Sequence, residues 1–454
     1  MLKQKRNSII ILICTLALAI FGCVMVFSAS KYAATVQYHN PYFYLKKQII
    51  GVVIGFVGLV VCLFINHKVY KKLYWLFYIV GLVFLCLVFV PGLKRTSYGA
   101  TRWIGIGSLT MQPSEIAKFC LVFFLAGFLS DGDKLSKLKN IIITLACGGL
   151  YCLLIMLEPN MSITMCVAFT LIFMMFVGGL RLKVFGLLTI PAAALVVLLI
   201  VAEPYRLNRI VAFINPWQNP LDEGYQLIQS LYAIGSGGVW GVGLFNSRQA
   251  ELFLPFSESD FIFSIIAEEL GFIGCLCLVA VFAVLIITIF KVGLSADNKF
   301  SAFLCFGIGA IISIQVILNI AVVSGSIPPT GLPLPFISAG STSLLVFMSA
   351  IGVVLNVDRQ SRKTAALIWA KLRYFKKCIL GEKVYIFLFV WHNIMDYNKA
   401  HRRLMVKNKS FNKTHKNDVD KIVEVNLSKS KDNKKIVCPV CGFEDWMKHH
   451  TMNI

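Results

Sequence analysis

Long apolar runs separated by shorter polar connections are the main pattern of this chain. Runs close to the roughly 20 residues that a helix needs to cross a bilayer recur from the N-terminal region to about residue 357. The expected fold class is all-α, a polytopic membrane protein with about ten transmembrane helices and a long outer loop between spans 7 and 8. The spans are predicted at 8–28, 48–66, 73–91, 115–130, 141–157, 161–179, 184–202, 261–290, 301–323 and 338–357.

Basic residues are distributed unevenly between the two sides of this predicted bundle. An even number of spans puts both termini on one side, and a cytoplasmic location for them satisfies the positive-inside rule at most connections. The chain is thus expected to be a multi-pass membrane protein with both termini on the inner side. The cytoplasmic connections would then hold Lys3, Lys5, Arg6, Lys68, Lys71, Lys72, Lys134, Lys137, Lys139, Arg181, Lys183, Lys291 and Lys299.

Six basic residues would instead lie outside: Lys94, Arg95, Arg102, Arg206, Arg209 and Arg248. Either the rule is noisy at these positions, or some of the cations face an anionic ligand at the outer surface, with Arg102 and Arg209 as candidate substrate-binding residues. The outer connection at about 204–260 is long enough to be functional or disordered. Because "YQLIQSLYAI" has helical apolar periodicity, we expect an ordered lid there.

Composition agrees with a membrane location, since 57% of the residues are apolar and only 15% are charged. The net charge of +22 does not indicate nucleic-acid binding, because residues 359–454 alone hold 21 Lys/Arg against 8 Asp/Glu. We expect a transmembrane domain at 1–360 and a basic cytoplasmic tail at 361–454, largely disordered. Cys438 and Cys441 have zinc-knuckle spacing near His449 and His450, which is weak evidence for zinc.

The stretch "GATRWIGIGSLTMQPSEIAKF" places polar residues at the start of a span. Gln112 precedes a proline suited to the first helical turn, and Glu115 and Lys118 form an i, i+3 pair on one helix face. One interpretation is a neutralised ion pair that only orients the span. The alternative is that Arg102 and Lys118 present cations to a diphosphate near the outer leaflet, with Gln112 and Glu115 beside them.

Two further outer stretches contain glycine or proline. The stretch "GSGGVWGVG" fails the spacing of a dinucleotide-binding loop and is better suited to tight turns and close backbone approach. The stretch "IPPTGLPLPFISAGSTSLL" contains four prolines before the last span. Broken backbone at membrane depth survives only inside protein or beside a watery cavity, so this stretch is expected to line a cavity, with Ser338 and Ser341 facing substrate.

The stretch "LPFSESDFIFSIIAEELGFIG" puts acidic residues at the start of an apolar run. Asp260 lies at the junction of the outer loop and a span, where a carboxylate can act as general base toward a hydroxyl nucleophile. The simpler interpretation is that Asp260 stabilises a helix N-terminus. Glu268 and Glu269 lie more than two turns deeper, where structural hydrogen bonding or an ion pair is expected.

Together these four stretches resemble the successive signature segments of the SEDS family, which contains the FtsW, RodA and SpoVE proteins. The resemblance covers roughly residues 8–360 and is closer to the FtsW/SpoVE branch. It implies a peptidoglycan glycosyltransferase that polymerises lipid II at the outer face of the cytoplasmic membrane in cell division or sporulation. It also implies a class B penicillin-binding protein transpeptidase and division or sporulation proteins as partners.

The resemblance implies a role for each candidate residue. Asp260 matches the family's catalytic carboxylate and would deprotonate the hydroxyl of one lipid-linked saccharide as it attacks another. Arg102 and Lys118 would offset charge on the diphosphate leaving group. No cofactor is firmly implied, and a divalent cation (Mg²⁺ or Mn²⁺) at the diphosphate is left open.

This sequence departs from the family pattern at two places. Phe256 stands where the family has a glutamate, and "EPNMSIT" from Glu158 replaces "QPDLGT", so that Asn160 stands in place of an aspartate. Two other functions fit the same residues. A transporter of the lipid-linked precursor would explain intramembrane charge and broken backbone, and a non-catalytic division scaffold would tolerate the departures.

Overall fold

The computed structural model describes residues 2–97, 100–106, 109–132, 134–181, 184, 186–187, 211, 213–218, 220–222 and 224–379. Apart from residues 184, 186 and 187, the predicted span at 184–202 lies outside these described residues, as do the candidate residue Arg209 and the tail cysteines Cys438 and Cys441. The contacts discussed below belong to the first of two compact units, which spans residues 1–364. The first residues of the predicted tail, 361–379, continue a helix, and the disordered character of the rest stays a prediction.

Helices dominate the described chain, as the apolar runs predict. In chain order they are α1 (Leu2–Tyr38), α2 (Phe43–Phe64), α3 (His67–Lys72), α4 (Tyr74–Leu87), α5 (Pro113–Ser130), α6 (Leu138–Leu157), α7 (Met161–Val177), α8 (Tyr225–Gly237), α9 (Ile262–Leu294), α10 (Lys299–Val323) and α11 (Ser341–Ile379). Short 3₁₀ turns lie at Lys134–Ser136 and Pro216–Gln218.

The multi-pass membrane fold is confirmed by the length and composition of these helices. Within the described residues, seven helices are long and apolar enough to cross a membrane, and two shorter apolar helices, Tyr74–Leu87 and Met161–Val177, occupy two more of the predicted spans. Helix is therefore present at nine of the ten predicted positions, and the tenth lies outside the described ranges except at residues 184, 186 and 187.

Burial separates the central helices from those that face lipid. The most apolar part of α5 is 89% buried, whereas that of α2 is only 22% buried. Helix α5 packs against α4, α7 and α10, and the core includes Val122, Phe124, Met174 and Ile308. Residues of α2 such as Ile50 and Val53 stay exposed, as expected for a helix solvated by lipid.

A small antiparallel sheet precedes α5 and is an addition to the all-α expectation. Its strands are β1 (Lys94–Ser97), β2 (Ala100–Ile106) and β3 (Leu109–Met111), with β2 in the centre. Lys94 lies opposite Ile104, which in turn lies opposite Met111. The sheet places Arg102 on its central strand, close to the start of α5.

Helix α9 is broken at Gly271, where the backbone has a φ of 66° and a ψ of −167°. The break disrupts the helical hydrogen-bond ladder, and the glycine-rich loop after α8 pairs with the broken backbone. The N–H groups of Phe272 and Ile273 donate to the carbonyls of Gly238 (3.0 Å) and Val239 (3.2 Å). A Cβ added at Gly271 would overlap this loop, so the expected close backbone approach is confirmed.

Candidate active site

Asp260 lies at one end of the bundle, in the residues that lead into α9. We call residues 254–261 the acid loop and residues 327–340 the proline segment. Backbone contacts join the two: the carbonyl of Glu258 accepts a hydrogen bond from the N–H of Ala339 (2.9 Å), and the carbonyl of Ser259 accepts one from Ser338 Oγ (2.6 Å). The acid loop is thus fixed through its main chain, and the half-buried Asp260 side chain is not needed for these bonds.

The predicted serines of the proline segment have different environments. Ser338 is buried, and its hydroxyl donates to the acid loop while accepting from the N–H of Leu334 (2.7 Å). Ser341 is exposed at the first position of α11. The structure therefore places Ser338 in a supporting position, and substrate contact by either serine stays a prediction.

Gly331 of the proline segment lies directly beside the Asp260 carboxylate. A Cβ added at Gly331 would overlap Asp260 Oδ2. Any residue with a side chain at position 331 would displace the carboxylate. A glycine at this position therefore leaves space for Asp260. The segment that was expected to line a cavity therefore forms the immediate surroundings of Asp260.

Arg102 reaches the same end of the bundle from the sheet. Its Nη2 donates to the carbonyl of Pro159 at the corner between α6 and α7 (2.5 Å). From this corner, Ser162 Oγ donates to the carbonyl of Thr330 in the proline segment (2.8 Å). The structure thus brings Arg102 and Asp260 to one end of the fold, as the sequence predicts.

Glu115 and Lys118 form a buried ion pair, with each side chain 1% exposed. Lys118 Nζ lies 2.8 Å from Glu115 Oε1 and donates to Gln315 Oε1 on α10 at 2.6 Å. This is the ion-pair alternative of the sequence analysis. With its ammonium enclosed, Lys118 presents no cation to a diphosphate in this structure, which corrects the expectation of a direct contact. Gln112, half-buried, precedes α5 without capping it.

Glu158 is a buried acid. In the sequence it is distinguished only as the first residue of the stretch "EPNMSIT", which departs from the family pattern. Its side chain is fully buried, close to Ser114 and Arg102. Burial raises the pKa of this carboxyl to about 8, and nearby Ser114 and Arg102 lower it by less. Glu158 is therefore mostly protonated at neutral pH. The neighbouring Asn160 caps α7 through the N–H of Ile163 (3.3 Å).

The raised pKa of Glu158 makes a prediction about stability. Because the folded pKa of about 8 exceeds the ordinary value of 4.5, the folded protein keeps a proton that the unfolded chain loses as pH rises between these values. The free energy of unfolding should fall across this window by at most about 1.4 kcal/mol per pH unit. Glu158→Gln, which has no proton to lose, should remove this fall and be the more stable protein above about pH 8.

Thermal unfolding midpoints in detergent between about pH 5 and pH 9 measure this effect. Glu251→Gln changes an exposed carboxylate in a different connection, at 204–260, and should keep the wild-type profile. Parallel profiles for wild type and Glu158→Gln would contradict the prediction.

The deeper carboxylates hold the outer loop, as expected. Glu268 accepts from the N–H of Arg248 (3.0 Å) and from Ser247 Oγ (2.5 Å), and Glu269 accepts from Ser28 Oγ. Phe256, the departure in the acid loop, is exposed with a positive φ of 57°. In the part of the chain that the structure describes, no group of three or more His, Cys, Asp or Glu residues is arranged to hold a metal ion.

Comparison with known proteins places these features in a family. Residues 8–363 match the family model described as "Cell cycle protein", which groups FtsW, RodA and SpoVE. Stage V sporulation protein E of Bacillus subtilis (strain 168) is 37% identical over 362 residues, which cover 79% of this chain and 99% of that protein. The probable peptidoglycan glycosyltransferase FtsW of Geobacter sp. (strain M18) is 35% identical over 370 residues, covering 80% and 100%.

Solved structures share the fold. One chain, from a study of how a peptidoglycan synthase complex coordinates polymerization and crosslinking, superposes with a TM-score of 0.64 at 27% identity and covers 77% of this chain and 97% of its own length. The Rod shape determining protein RodA of Thermus thermophilus has a TM-score of 0.58 at 24% identity, covering 77% and 96%, and supports the fold alone.

Proposed function

The chain belongs to the FtsW/RodA/SpoVE family of cell cycle proteins, and we propose that it polymerises lipid II into β-1,4 glycan strands at the outer face of the cytoplasmic membrane. It is a multi-pass membrane protein and a peptidoglycan glycosyltransferase. The observation that carries the assignment of the reacting group is the main-chain anchoring of the acid loop, which holds the Asp260 carboxylate beside Gly331.

Asp260 is the general base of the proposed reaction. Its carboxylate takes the proton from the 4-hydroxyl of the GlcNAc on one lipid-linked saccharide while that oxygen attacks the anomeric carbon of MurNAc on another. The new C–O bond forms as the bond to the diphosphate breaks, and undecaprenyl diphosphate leaves with the electron pair. Attack from the opposite face inverts the donor's configuration and gives the β linkage.

Cations at the same end of the bundle stabilise the leaving diphosphate. Arg102 is fixed by its hydrogen bond to the carbonyl of Pro159, so its charge is positioned before the reaction begins. Lys94 and Arg95 of the same sheet are exposed. Arg209, outside the described residues, keeps its predicted role as a further cation.

A divalent cation (Mg²⁺ or Mn²⁺) at the diphosphate stays a prediction. Such an ion would take oxygen atoms of the diphosphate as ligands.

Lipid II polymerisation separates this proposal from the alternatives. The purified protein, combined with its class B penicillin-binding partner, should convert lipid II into long glycan strands that are resolved by gel electrophoresis. A transporter would instead move lipid II across proteoliposomes without forming strands, and a scaffold would do neither. Transfer without polymerisation, in a preparation where a family member polymerises, would overturn the proposed function.

Gly331→Ala tests the geometry around the base. The added methyl group would displace the Asp260 carboxylate rather than backbone, so the protein should fold normally while kcat falls by about 10-fold or more. Gly340→Ala is the matched control in the same segment, because its Cβ would meet only ordinary contact at 3.6 Å from Ser343 Cβ. Polymerisation rates and unfolding midpoints check both variants, and equal rates for the two would contradict this geometry.

A further inference from the structure

Asn319 on α10 joins the acid loop to the proline segment. Its Nδ2 donates to the carbonyl of Asp260 (2.9 Å) and to the carbonyl of Leu332 (2.6 Å). The side chain is 1% exposed. Since carbonyl oxygens only accept, these two contacts fix the orientation of the amide and require a donor at this position.

Gln315 lies one helical turn earlier on the same face of α10 and makes a parallel connection. Its Nε2 donates to the carbonyl of Pro333 (2.7 Å), next to the carbonyl that Asn319 binds. Its Oε1 accepts from Lys118 Nζ (2.6 Å), and Gln315 is fully buried. The ion pair on α5 is thus linked through α10 to two consecutive carbonyls of the proline segment.

The two amides define the separation between the base and the segment opposite it. Gly331, which touches the Asp260 carboxylate, is the residue immediately before Leu332. One amide nitrogen therefore sets the distance between the main chain of the base and the main chain of its neighbour. Asp260 lies before the first residue of α9, Ile262, so the helix itself does not fix its position.

We propose that Asn319 is a positioning residue for Asp260, with Gln315 supporting it from the buried ion pair. This inference rests on the proposed function, in which Asp260 is the general base. Asn319 makes no contact with substrate in the proposed role. It holds the carboxylate in the orientation for proton transfer, so its loss should affect the chemical step more than substrate binding.

The test compares Asn319→Leu with a matched substitution on α11. Asn356 is also buried and also donates to one backbone carbonyl, that of Leu63 (2.5 Å), so Asn356→Leu removes the same group far from Asp260. Both proteins are measured in complex with the penicillin-binding partner. Should Asn319→Leu fail to fold, Asn319→Ala replaces it, because the smaller side chain removes the donor without adding bulk or charge.

Two readouts decide the proposal. Hydrogen–deuterium exchange of peptides from 254–261 and 328–334 should quicken in the Asn319 variant and stay unchanged in Asn356→Leu. In lipid II polymerisation, kcat should fall by about 10-fold or more with KM within about 2-fold of wild type.

Unchanged exchange in both segments, or equal kinetics for the Asn319 and Asn356 variants, would overturn the positioning role. If the wild type forms no glycan, the proposed function fails. The exchange measurement still decides whether Asn319 holds the acid loop.

Discussion

Replacing Asp260 by asparagine is expected to abolish polymerisation of lipid II while the protein remains folded and bound to its partner. Asparagine has almost the same shape but cannot accept the proton of the attacking hydroxyl, and a general base contributes about 10²- to 10⁴-fold to a rate. The bonds that hold the acid loop use the carbonyl of residue 260 and its neighbours, which this substitution keeps. Glycan formation by the purified complex is the measurement.

The matched control is Glu251→Gln, which neutralises an exposed carboxylate in the same outer connection. It should retain wild-type polymerisation. Full activity of Asp260→Asn, with wild type and control active in parallel, would remove Asp260 from the reaction. An equal loss in both variants would indicate that the net charge of the outer surface, rather than one base, is what matters.

Lys118→Met is expected to destabilise the protein by about 3–5 kcal/mol, because removing one partner of a buried pair leaves an uncompensated charge. Glu115 would remain 1% exposed without its ammonium, and Gln315 would lose its donor. Neutralising both partners, in Glu115→Gln with Lys118→Met, should recover most of this loss. Thermal unfolding in detergent measures all three proteins.

The exposed pair between Lys71 and Asp131 is the control for this prediction. Its atoms lie 3.3 Å apart, but the side chains are 48% and 43% exposed, so Lys71→Met should change stability by less than about 1 kcal/mol. If the Lys118 and Lys71 variants unfold at the same temperature, the buried Glu115–Lys118 pair contributes no more to stability than the exposed pair, which would contradict the prediction.

The parts of this fold that depend on local sequence were predictable. A run of apolar residues predicts a spanning helix without knowledge of its neighbours, which is why a described helix overlaps nine of the ten predicted spans. The pairing of Glu115 with Lys118 follows from their separation by three positions on one helix. Pro113 likewise marks the start of α5, where a missing N–H costs nothing.

The surroundings of the candidate base were not predictable, because they depend on contacts between distant parts of the chain. Asn319 meets the carbonyl of Asp260 across 59 positions, and nothing in the local pattern around either residue indicates the contact. Glu158 lies close to Ser114 and Arg102, which come much earlier in the chain, so the residues next to it in sequence do not indicate its raised pKa. The sheet was missed because its strands are short and lie within a connection.

The break in α9 bears on how the protein is made. The groups left unpaired at Gly271 find partners in 238–243, about 30 residues earlier in the chain, which leave the ribosome first. An unpaired backbone N–H inside hydrocarbon costs several kcal/mol. Because residues 238–243 are synthesised before α9, they are available to pair with these groups when the second half of α9 enters the bilayer.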